Sequence, residues 1–276
     1  MASVNSPIRR FIKPLFFKVL PTSFYTYFQY IAKSKDITEK LVEEEELQIL
    51  PHLLHKNSNC IDIGCNFAYI SERLSKLCPD GLIYAFEPIP FTNKVATKII
   101  KKFKLNNVKL FQFGVGSENT KMTFEVPLQE FGAFSAGQAH ITGRKNEELK
   151  VKGHYKFEKF ASVTCDIVRL DDFIQIKDPI DFIKIDIEGA EYFAILGMEN
   201  LLERNKPSIY MEINPDFLKA FNLNENMLID KMNSLGYDFY EFDKRIKLKK
   251  VNSNFIEANY FLIHKDKRNN FLDIIL

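Results

Sequence analysis

The chain has 276 residues, of which 46% are hydrophobic and 27% are charged, a composition that is ordinary for a globular protein. Its 38 basic and 36 acidic side chains leave a net charge of +2, which gives no reason to expect nucleic acid as a partner. The sequence has no run of about 18 apolar residues, so no transmembrane helix is predicted. The four cysteines lack C-x-x-C spacing and no secretory signal precedes them, which indicates reduced thiols and a cytoplasmic protein.

Residues 1–55 are predicted to form an N-terminal helical extension. Residues 9–20 are basic and apolar, but no small-residue cleavage site follows them, so a targeting peptide is not indicated. Their Phe and Leu stripe favours packing on the domain or on a second subunit, and peripheral membrane contact through residues 1–40 is the alternative. Residues 40–54 predict one amphipathic helix, with the acids at 43–46 on its solvated face.

Residues 56–276 alternate strands with helices, which predicts a single α/β domain built on a mostly parallel, doubly wound sheet. Two final strands without an intervening helical pattern predict an antiparallel C-terminal pair, joined by a solvated basic loop at 244–250. An insertion at about 117–165 breaks the alternation, and its polar middle, 131–152, is predicted to be a mobile lid or substrate loop. The predicted strands are 60–63, 82–86, 108–113, 181–187, 208–213, 237–242 and 259–263, and the predicted helices are 69–77, 93–103, 190–203 and 225–235.

The first two predicted strands carry the features of a nucleoside-binding unit. Gly64 ends the first apolar run, and Glu87 ends the second at close to the roughly 20-residue distance expected for an acid that accepts ribose hydroxyls. Asn66 and Tyr69 occupy the other two positions of a G-x-G-x-x-G fingerprint, which disfavours a pyrophosphate and hence an NAD-dependent oxidoreductase. S-adenosylmethionine fits better, because its ammonium and carboxylate need polar partners, and Asp62 could hold the ammonium directly or through water.

Carboxylates gather after the fourth and fifth predicted strands. Asp186 and Glu188 follow the fourth strand and Glu212 ends the fifth, so they share the edge of the sheet where open α/β folds bind ligands. Crowded carboxylates in a cleft are candidates for a general base or a metal site. Glu191 is better explained as an acid in the first turn of a helix, and Asn214 as the start of another.

The turn after the third predicted strand contains Gly114 and Gly116, which suit the close approach of an adenine edge, although a plain turn is an equal alternative. His140 and His154 in the insertion could act as bases, but no two histidines show metal spacing.

Taken together, several motifs resemble the FkbM-type methyltransferases, over about residues 55–243. They are Ile61-Asp-Ile-Gly-Cys-Asn66, Tyr84-Ala-Phe-Glu-Pro88, Phe113-Gly-Val-Gly116, Arg169-Leu-Asp-Asp172, Lys184-Ile-Asp-Ile-Glu-Gly-Ala-Glu191 and Met211-Glu212. The resemblance implies a class I, Rossmann-like fold, S-adenosylmethionine as cofactor, and methylation of hydroxyls on sugars, polyketides and other natural products. It also implies that Asp62, Gly64, Asn66 and Glu87 hold the cofactor, and it matches Ser135 to the family's serine in the insertion. Cys65 and Phe67 depart from the small or aliphatic residues common there, and the first helix lacks the family's usual second glycine.

We therefore predict an S-adenosylmethionine-dependent O-methyltransferase that acts on a hydroxyl of a glycan or small natural product. Asp186 or Glu188 is expected to be the base or to ligate an assisting divalent ion, with Glu212 as a further candidate base, and no dedicated metal site is predicted. Two alternatives stay open: an N-methyltransferase on protein or nucleic acid, and a non-catalytic cofactor-binding scaffold in glycan assembly. The predicted cofactor contacts are Asp62, Gly64, Cys65, Asn66, Glu87, Gly114, Val115 and Asp186.

Overall fold

The structure is a computed structural model, and it describes residues 22–42, 44–128, 140–141, 159–253 and 255–276. The strands are β1 (Cys60–Ile63), β2 (Ile83–Phe86), β3 (Val108–Phe111), β4 (Gly114–Val115), β5 (Thr120–Leu128), β6 (His140–Ile141), β7 (Lys159–Val168), β8 (Phe182–Ile185), β9 (Ser208–Ile213), β10 (Tyr237–Asp243), β11 (Lys247–Val251) and β12 (Ala258–His264). The α-helices are α1 (Thr22–Thr38), α2 (Leu50–Leu53), α3 (Tyr69–Leu77), α4 (Pro90–Lys102), α5 (Glu191–Leu196), α6 (Glu199–Asn205), α7 (Pro215–Lys219) and α8 (Glu225–Ser234). Short 3-10 turns lie at Glu45–Ile49, Leu170–Asp172 and Lys265–Phe271.

The main sheet has the strand order β11-β10-β12-β9-β8-β1-β2-β3. From β3 to β9 neighbouring strands run parallel, whereas β12 and β10 are antiparallel to their neighbours. The chain leaves β1 toward β2 and β3 and later returns to β8 on the other side of β1. The carboxyl ends of β1 and β8 therefore form the topological switch point at which such sheets bind ligands. This arrangement confirms the predicted class I, Rossmann-like fold.

Helices cover both faces of the sheet, which explains why its central strands consist mostly of apolar residues. Every residue of β1, β2 and β8 is buried. One face packs its isoleucines and Met211 against α5 to α8, and the other packs Phe182 and Tyr210 against α2, α3 and the Glu45–Ile49 turn. No helix within the described ranges is long and apolar enough to cross a bilayer.

A second sheet, in the order β4-β7-β5-β6, is built from the predicted insertion. Its main part is the long antiparallel pair of β5 and β7, while β4 joins β7 in parallel directly after β3. Val126 and Cys165 of this sheet pack against α4 and α1. The insertion therefore contributes strands to a sheet beside the predicted cofactor edge, and most of the predicted lid, 131–152, lies outside the described residues.

The described part of the N-terminal extension, residues 22–42 and 44–55, packs against the rest of the domain. Tyr25 of α1 stacks on Phe91 of α4 with ring centroids 5.2 Å apart, and Asp36 accepts a hydrogen bond from the Tyr69 hydroxyl at 3.3 Å. The predicted single helix over 40–54 is wrong, because a 3-10 turn and the short α2 occupy this stretch. Pro51 stands at the start of α2, where its missing N–H interrupts a continuous helical hydrogen-bond ladder.

Two further predictions are wrong in the C-terminal half. The basic segment 244–250 is not a solvated loop, because β11 lies in it and pairs with β10, with the Leu248 side chain fully buried. The predicted helix over 190–203 is two helices that meet at Gly197. A Cβ on Gly197 would lie 1.9 Å from the carbonyl oxygen of Gly116, so the helix boundary is set by this close backbone approach.

The start of α4 also differs from its prediction, since the helix begins at Pro90 instead of residue 93. Proline is well suited to the first position of a helix, because the N–H that it lacks would have no partner there. The helix consequently begins three residues after Glu87, the acid that follows β2.

Candidate active site

The carboxyl ends of β1, β8 and β9 bring the central residues of the site into one row. Ile63 pairs with Ile185, and Ile185 pairs with Met211. The residues that follow each of these are Gly64, Asp186 and Glu212. Because register continues past the last paired residues, these three positions lie side by side at the switch point.

The turn after β1 is built from residues in left-handed conformations. Gly64, Asn66 and Ala68 have φ angles of 73°, 49° and 61°. A Cβ on Gly64 would lie only 2.1 Å from the carbonyl oxygen of Asp186. Only glycine fits at this position, whereas Asn66 and Tyr69 carry side chains where a pyrophosphate-binding turn needs glycine.

Glu87 follows β2, and its carboxylate stabilises this turn through hydrogen bonds. Its Oε2 accepts a hydrogen bond from the Asn66 backbone N–H at 3.0 Å, and its Oε1 accepts one from the Ile89 N–H at 2.9 Å. Burial raises the pKa of Glu87 to about 7, although these two N–H donors act in the opposite direction. Each carboxylate oxygen has a second lone pair, so the group can still accept from a ligand.

Asp62 lies beneath the turn and is fully buried. Its Oδ2 accepts a hydrogen bond from Ser71, and its Oδ1 lies 3.7 Å from the ammonium of Lys184. Burial raises its pKa, and Lys184 opposes that rise. Among the described residues, Oδ1 of Asp62 and Oδ1 of Asn66 are buried acceptors without a hydrogen-bond partner, which leaves two acceptors at the turn for a donor from a ligand or water.

Lys184 is the functional residue that sequence reasoning missed. Its ammonium donates to the carbonyl oxygen of Gly64 at 2.9 Å and lies 3.4 Å from Oδ2 of Asp186. The side chain is 5% exposed. Burial opposes its charge, but the carboxylates of Asp186 and Asp62 raise its pKa overall. A lysine in the middle of an otherwise apolar strand is the signal that could have identified it, because buried lysines need charged partners.

The turn after β8 carries two of the predicted catalytic acids in a strained conformation. Glu188 has a φ of 57° and Gly189 one of 101°, and non-glycine residues seldom adopt the first of these. Glu191 holds the turn together, since its Oε1 accepts from the N–H groups of Ile187 and Gly189 at 3.1 and 3.2 Å. The structural role predicted for Glu191 matches this geometry, whereas Asp186 and Glu188 are left at the edge of the crevice.

Glu212 has the titration behaviour expected of a general base. Burial, followed by the negative charges of Asp186, Glu188 and Glu191, raises its pKa to about 8. A carboxyl group with this pKa changes its protonation state close to neutral pH, which is where a general base is most effective. The sequence marked Glu212 as the third candidate, and the structure places it close enough to Asp186 and Glu188 for their charges to act on it.

The N-terminal segment also reaches this region. Glu44, which the sequence placed on a solvated face, accepts a hydrogen bond from the Tyr210 hydroxyl at 2.7 Å. Tyr210 is the register partner of Lys184 on β9. Burial raises the pKa of Glu44. Residues 44–54 thus close the face of the sheet below the site.

A cavity of about 350 Å³ opens at the same edge of the sheet. Gly64, Gly114 and Val115, three of the predicted cofactor contacts, line it. The second sheet contributes an apolar wall, and Ile187 and Ala190 connect the cavity with the carboxylate turn. The wall from the second sheet consists of Thr120, Met122, Phe124 and Ile167.

The structure brings most of the predicted site residues to one edge, and the rest fall elsewhere. Cys65 is buried directly after Gly64 and its pKa is raised by burial, which fits a packing role in the turn. Asn214 caps α7 through its side chain, as predicted for a helix start. Ser135 and His154 lie outside the described residues, as does the side chain of His140. Within the described ranges, no group of three or more His, Cys, Asp or Glu side chains forms a metal-binding cluster.

Known proteins are similar to this chain in sequence. The family described as the methyltransferase FkbM domain matches residues 62–239. Methyltransferase 1 of Beauveria bassiana (strain ARSEF 2860) is 24% identical over 152 residues, which cover 52% of this chain and 59% of that protein. Methyltransferase sdnD of Sordaria araneosa is 26% identical over 165 residues, which cover 53% of this chain and 62% of that protein. The matches therefore span about six tenths of the length of these relatives.

Two solved structures also align with the chain. The methyltransferase FkbM of Methylobacillus flagellatus KT aligns with a TM-score of 0.47 and 12% identity, over 86% of this chain and 59% of that one. The precorrin-6y C5,15-methyltransferase of Geobacter metallireducens GS-15 aligns with a TM-score of 0.41 and 15% identity, over 79% and 84% of the two chains. Since the family match covers well over half of the sequence, from Asp62 in β1 to Phe239 in β10, the chain belongs to the FkbM methyltransferase family.

Proposed function

We propose that the chain is an S-adenosylmethionine-dependent O-methyltransferase whose acceptor is a hydroxyl of a glycan or small natural product. The observation that carries this proposal is the row of Gly64, Asp186 and Glu212 at the switch point, where a nucleoside-binding turn meets a carboxylate with a pKa of about 8. Family membership supports methyl transfer. The choice of oxygen as the acceptor atom rests on the carboxylates.

The residues present fit this cofactor better than a dinucleotide. Glu87 stands at the end of β2, where an acid can accept ribose hydroxyls. The unpartnered oxygens of Asp62 and Asn66 suit a donor such as an ammonium, directly or through water. When bound, S-adenosylmethionine supplies an electrophilic methyl group on a sulfonium, whose sulfur keeps the electron pair of the broken bond.

The chain's own contribution is to position the acceptor and remove its proton. A hydroxyl becomes a good nucleophile only as its proton leaves, so a base must act while the new oxygen–carbon bond forms. Glu212 in its deprotonated form can take that proton, with Asp186 and Glu188 as the other candidates. The apolar wall of Met122 and Phe124 supports a small, partly apolar acceptor over a nucleic acid.

Calorimetric titration with S-adenosylmethionine, S-adenosylhomocysteine and NAD tests the cofactor. We expect micromolar binding of the first two, loss of at least tenfold in affinity for Glu87→Ala, and no loss for Glu241→Ala, which removes an exposed acid on β10. Binding of NAD alone would overturn the cofactor assignment, and binding of none of the three would favour the scaffold alternative.

Methyl transfer is then measured over sugar, polyketide, peptide and oligonucleotide acceptors, with mass spectrometry to identify the methylated atom. We expect O-methyl products, and a loss of turnover in Glu212→Gln or Asp186→Asn while cofactor affinity is retained. Methylated nitrogen on a peptide or oligonucleotide would overturn the choice of acceptor. Full turnover in both variants would overturn the assignment of the base.

A further inference from the structure

The outer face of α1 is an exposed apolar stripe. Phe24, Tyr27, Phe28 and Ile31 are 56%, 52%, 49% and 48% exposed. Their spacing of three and four residues places them on one side of the helix, opposite the side on which Tyr25 packs into the domain. Large apolar side chains that cluster on a surface commonly mark an interaction site. We call this set the α1 stripe.

Lysines of α4 border the α1 stripe. The ammonium of Lys98 lies 5.9 Å from the ring centroids of both Tyr27 and Tyr30, and that of Lys102 lies 5.5 Å from the Tyr30 ring. These lysines belong to a stretch, residues 88–117, that contains six lysines and no acid. The apolar stripe and a strongly basic surface are therefore contiguous.

The N-terminal sequence also contains more basic than acidic residues. Residues 1–40 contain seven basic and two acidic side chains, a net charge of +5, whereas the whole chain has a net charge of +2. The positive charge is thus concentrated in the part of the chain that includes α1, and the remaining residues are net negative. Basic side chains beside Phe, Tyr and Ile are what an anionic lipid surface attracts, through its charge and through its apolar interior.

We infer that the α1 stripe and the lysines of α4 dock the protein on an anionic membrane surface. A second copy of the chain fits this face poorly, because a two-fold interface would bring two copies of the same basic surface together. Nucleic acid also fits poorly. The ring faces of Tyr27 and Tyr30 are already covered by lysine ammoniums, and Ile31 offers no ring for a base to stack on.

Docking in this orientation would bring the candidate site close to the membrane. The ammonium of Lys33, on the C-terminal half of α1, lies 5.3 Å from the ring centroid of Phe67. Phe67 belongs to the left-handed turn that follows β1. The helix that carries the stripe therefore packs directly on the turn that we assign to the cofactor.

The test is co-sedimentation of the full chain with vesicles of phosphatidylcholine, with and without about one third phosphatidylserine. We expect binding only to the anionic vesicles and a decline in binding as salt is raised. Phe24→Ser/Phe28→Ser should weaken partitioning by at least about 10-fold. Lys98→Gln/Lys102→Gln should weaken it by about 30-fold, from the typical contribution of a lysine near an anionic surface.

Matched controls separate the proposed face from the rest of the surface. Ile174→Ser/Ile256→Ser removes apolar side chains that are 78% and 66% exposed elsewhere, and should leave partitioning unchanged. Circular dichroism must show the same fold in every variant.

Equal binding to neutral and anionic vesicles would overturn the proposal, as would the absence of any effect of the α1 variant or of the α4 variant. So would binding of a mixed oligonucleotide in place of vesicles, or dimerisation that the α1 variant abolishes. None of these outcomes depends on methyl transfer, so the proposed function and the membrane proposal fail independently.

Discussion

Replacing Lys184 with methionine tests whether this buried cation holds the site together. The substitution keeps the apolar stem but removes the ammonium that contacts Gly64 and lies between Asp62 and Asp186. Asp62 is fully buried and would lose its nearest cation. Removing one partner of a buried ion pair typically costs about 3–5 kcal/mol. We expect a loss of this size in the free energy of unfolding at pH 8, measured by urea denaturation.

The loss should depend on pH with a predictable sign. Burial already raises the pKa of Asp62, and without Lys184 the pKa should rise further. A carboxyl whose pKa is higher in the folded than in the unfolded protein stabilises the fold below its unfolded pKa, and that stability is lost as pH rises through its folded pKa. The deficit of Lys184→Met should therefore be smaller at pH 5 than at pH 8.

Two further variants control this measurement. Lys249→Met removes an exposed lysine that pairs with Glu241 at 3.1 Å, and such surface pairs contribute about 0–1 kcal/mol. Adding Asp62→Asn to Lys184→Met should recover part of the lost stability, because no uncompensated charge then remains buried. A loss below about 1 kcal/mol for Lys184→Met, comparable with that of Lys249→Met, would refute the role of Lys184.

Three more predictions follow from the geometry. If Glu212 is the base, kcat/KM should rise with pH through about 8, and Glu212→Gln should abolish this limb of the pH profile; an unchanged profile would exclude Glu212. Gly64→Ala should reduce both stability and S-adenosylmethionine affinity, since its Cβ would lie 2.1 Å from the Asp186 carbonyl oxygen, whereas Gly116→Ala should be milder because its nearest neighbour is a side chain. Leu248→Ala should lower the free energy of unfolding by about 2–5 kcal/mol, and a loss under 0.5 kcal/mol in urea denaturation would mean that this segment is solvated after all.

The central parallel strands could be predicted from the sequence with little error. The bounds of β1 and β9 agree with the prediction at both ends, because a strand buried on both faces is mostly apolar and is bordered by polar turn residues. The edge strand β11 has no comparable apolar stretch, since Leu248 is surrounded by lysines. Lysine on an edge strand discourages pairing with other chains, and the same residues made the segment resemble a loop.

The features that could not be predicted depend on contacts between residues that are far apart in the sequence. Glu44 and Tyr210 are 166 residues apart, and no local pattern relates them. Lys184 is a local anomaly, but its contact with Gly64 spans 120 residues. Motif spacing identified which strand ends carry polar groups, whereas the pairing of those groups depends on the strand order and on how the turns approach each other.

The choice among the carboxylates illustrates this limit. In the sequence, Asp186 and Glu212 are acids at the ends of two strands, and Glu191 follows in the first turn of a helix. In the fold, Asp186 pairs with Lys184, and Glu191 accepts from backbone N–H groups of its own turn. Burial and the negative charges of other carboxylates raise the pKa of Glu212 to about 8, above the value of about 7 for Glu191. A cationic ligand in the crevice would lower the pKa of Glu212 and favour the form that accepts a proton. A bound cation would therefore offset the crowding of carboxylates and ready Glu212 to take the proton of the acceptor.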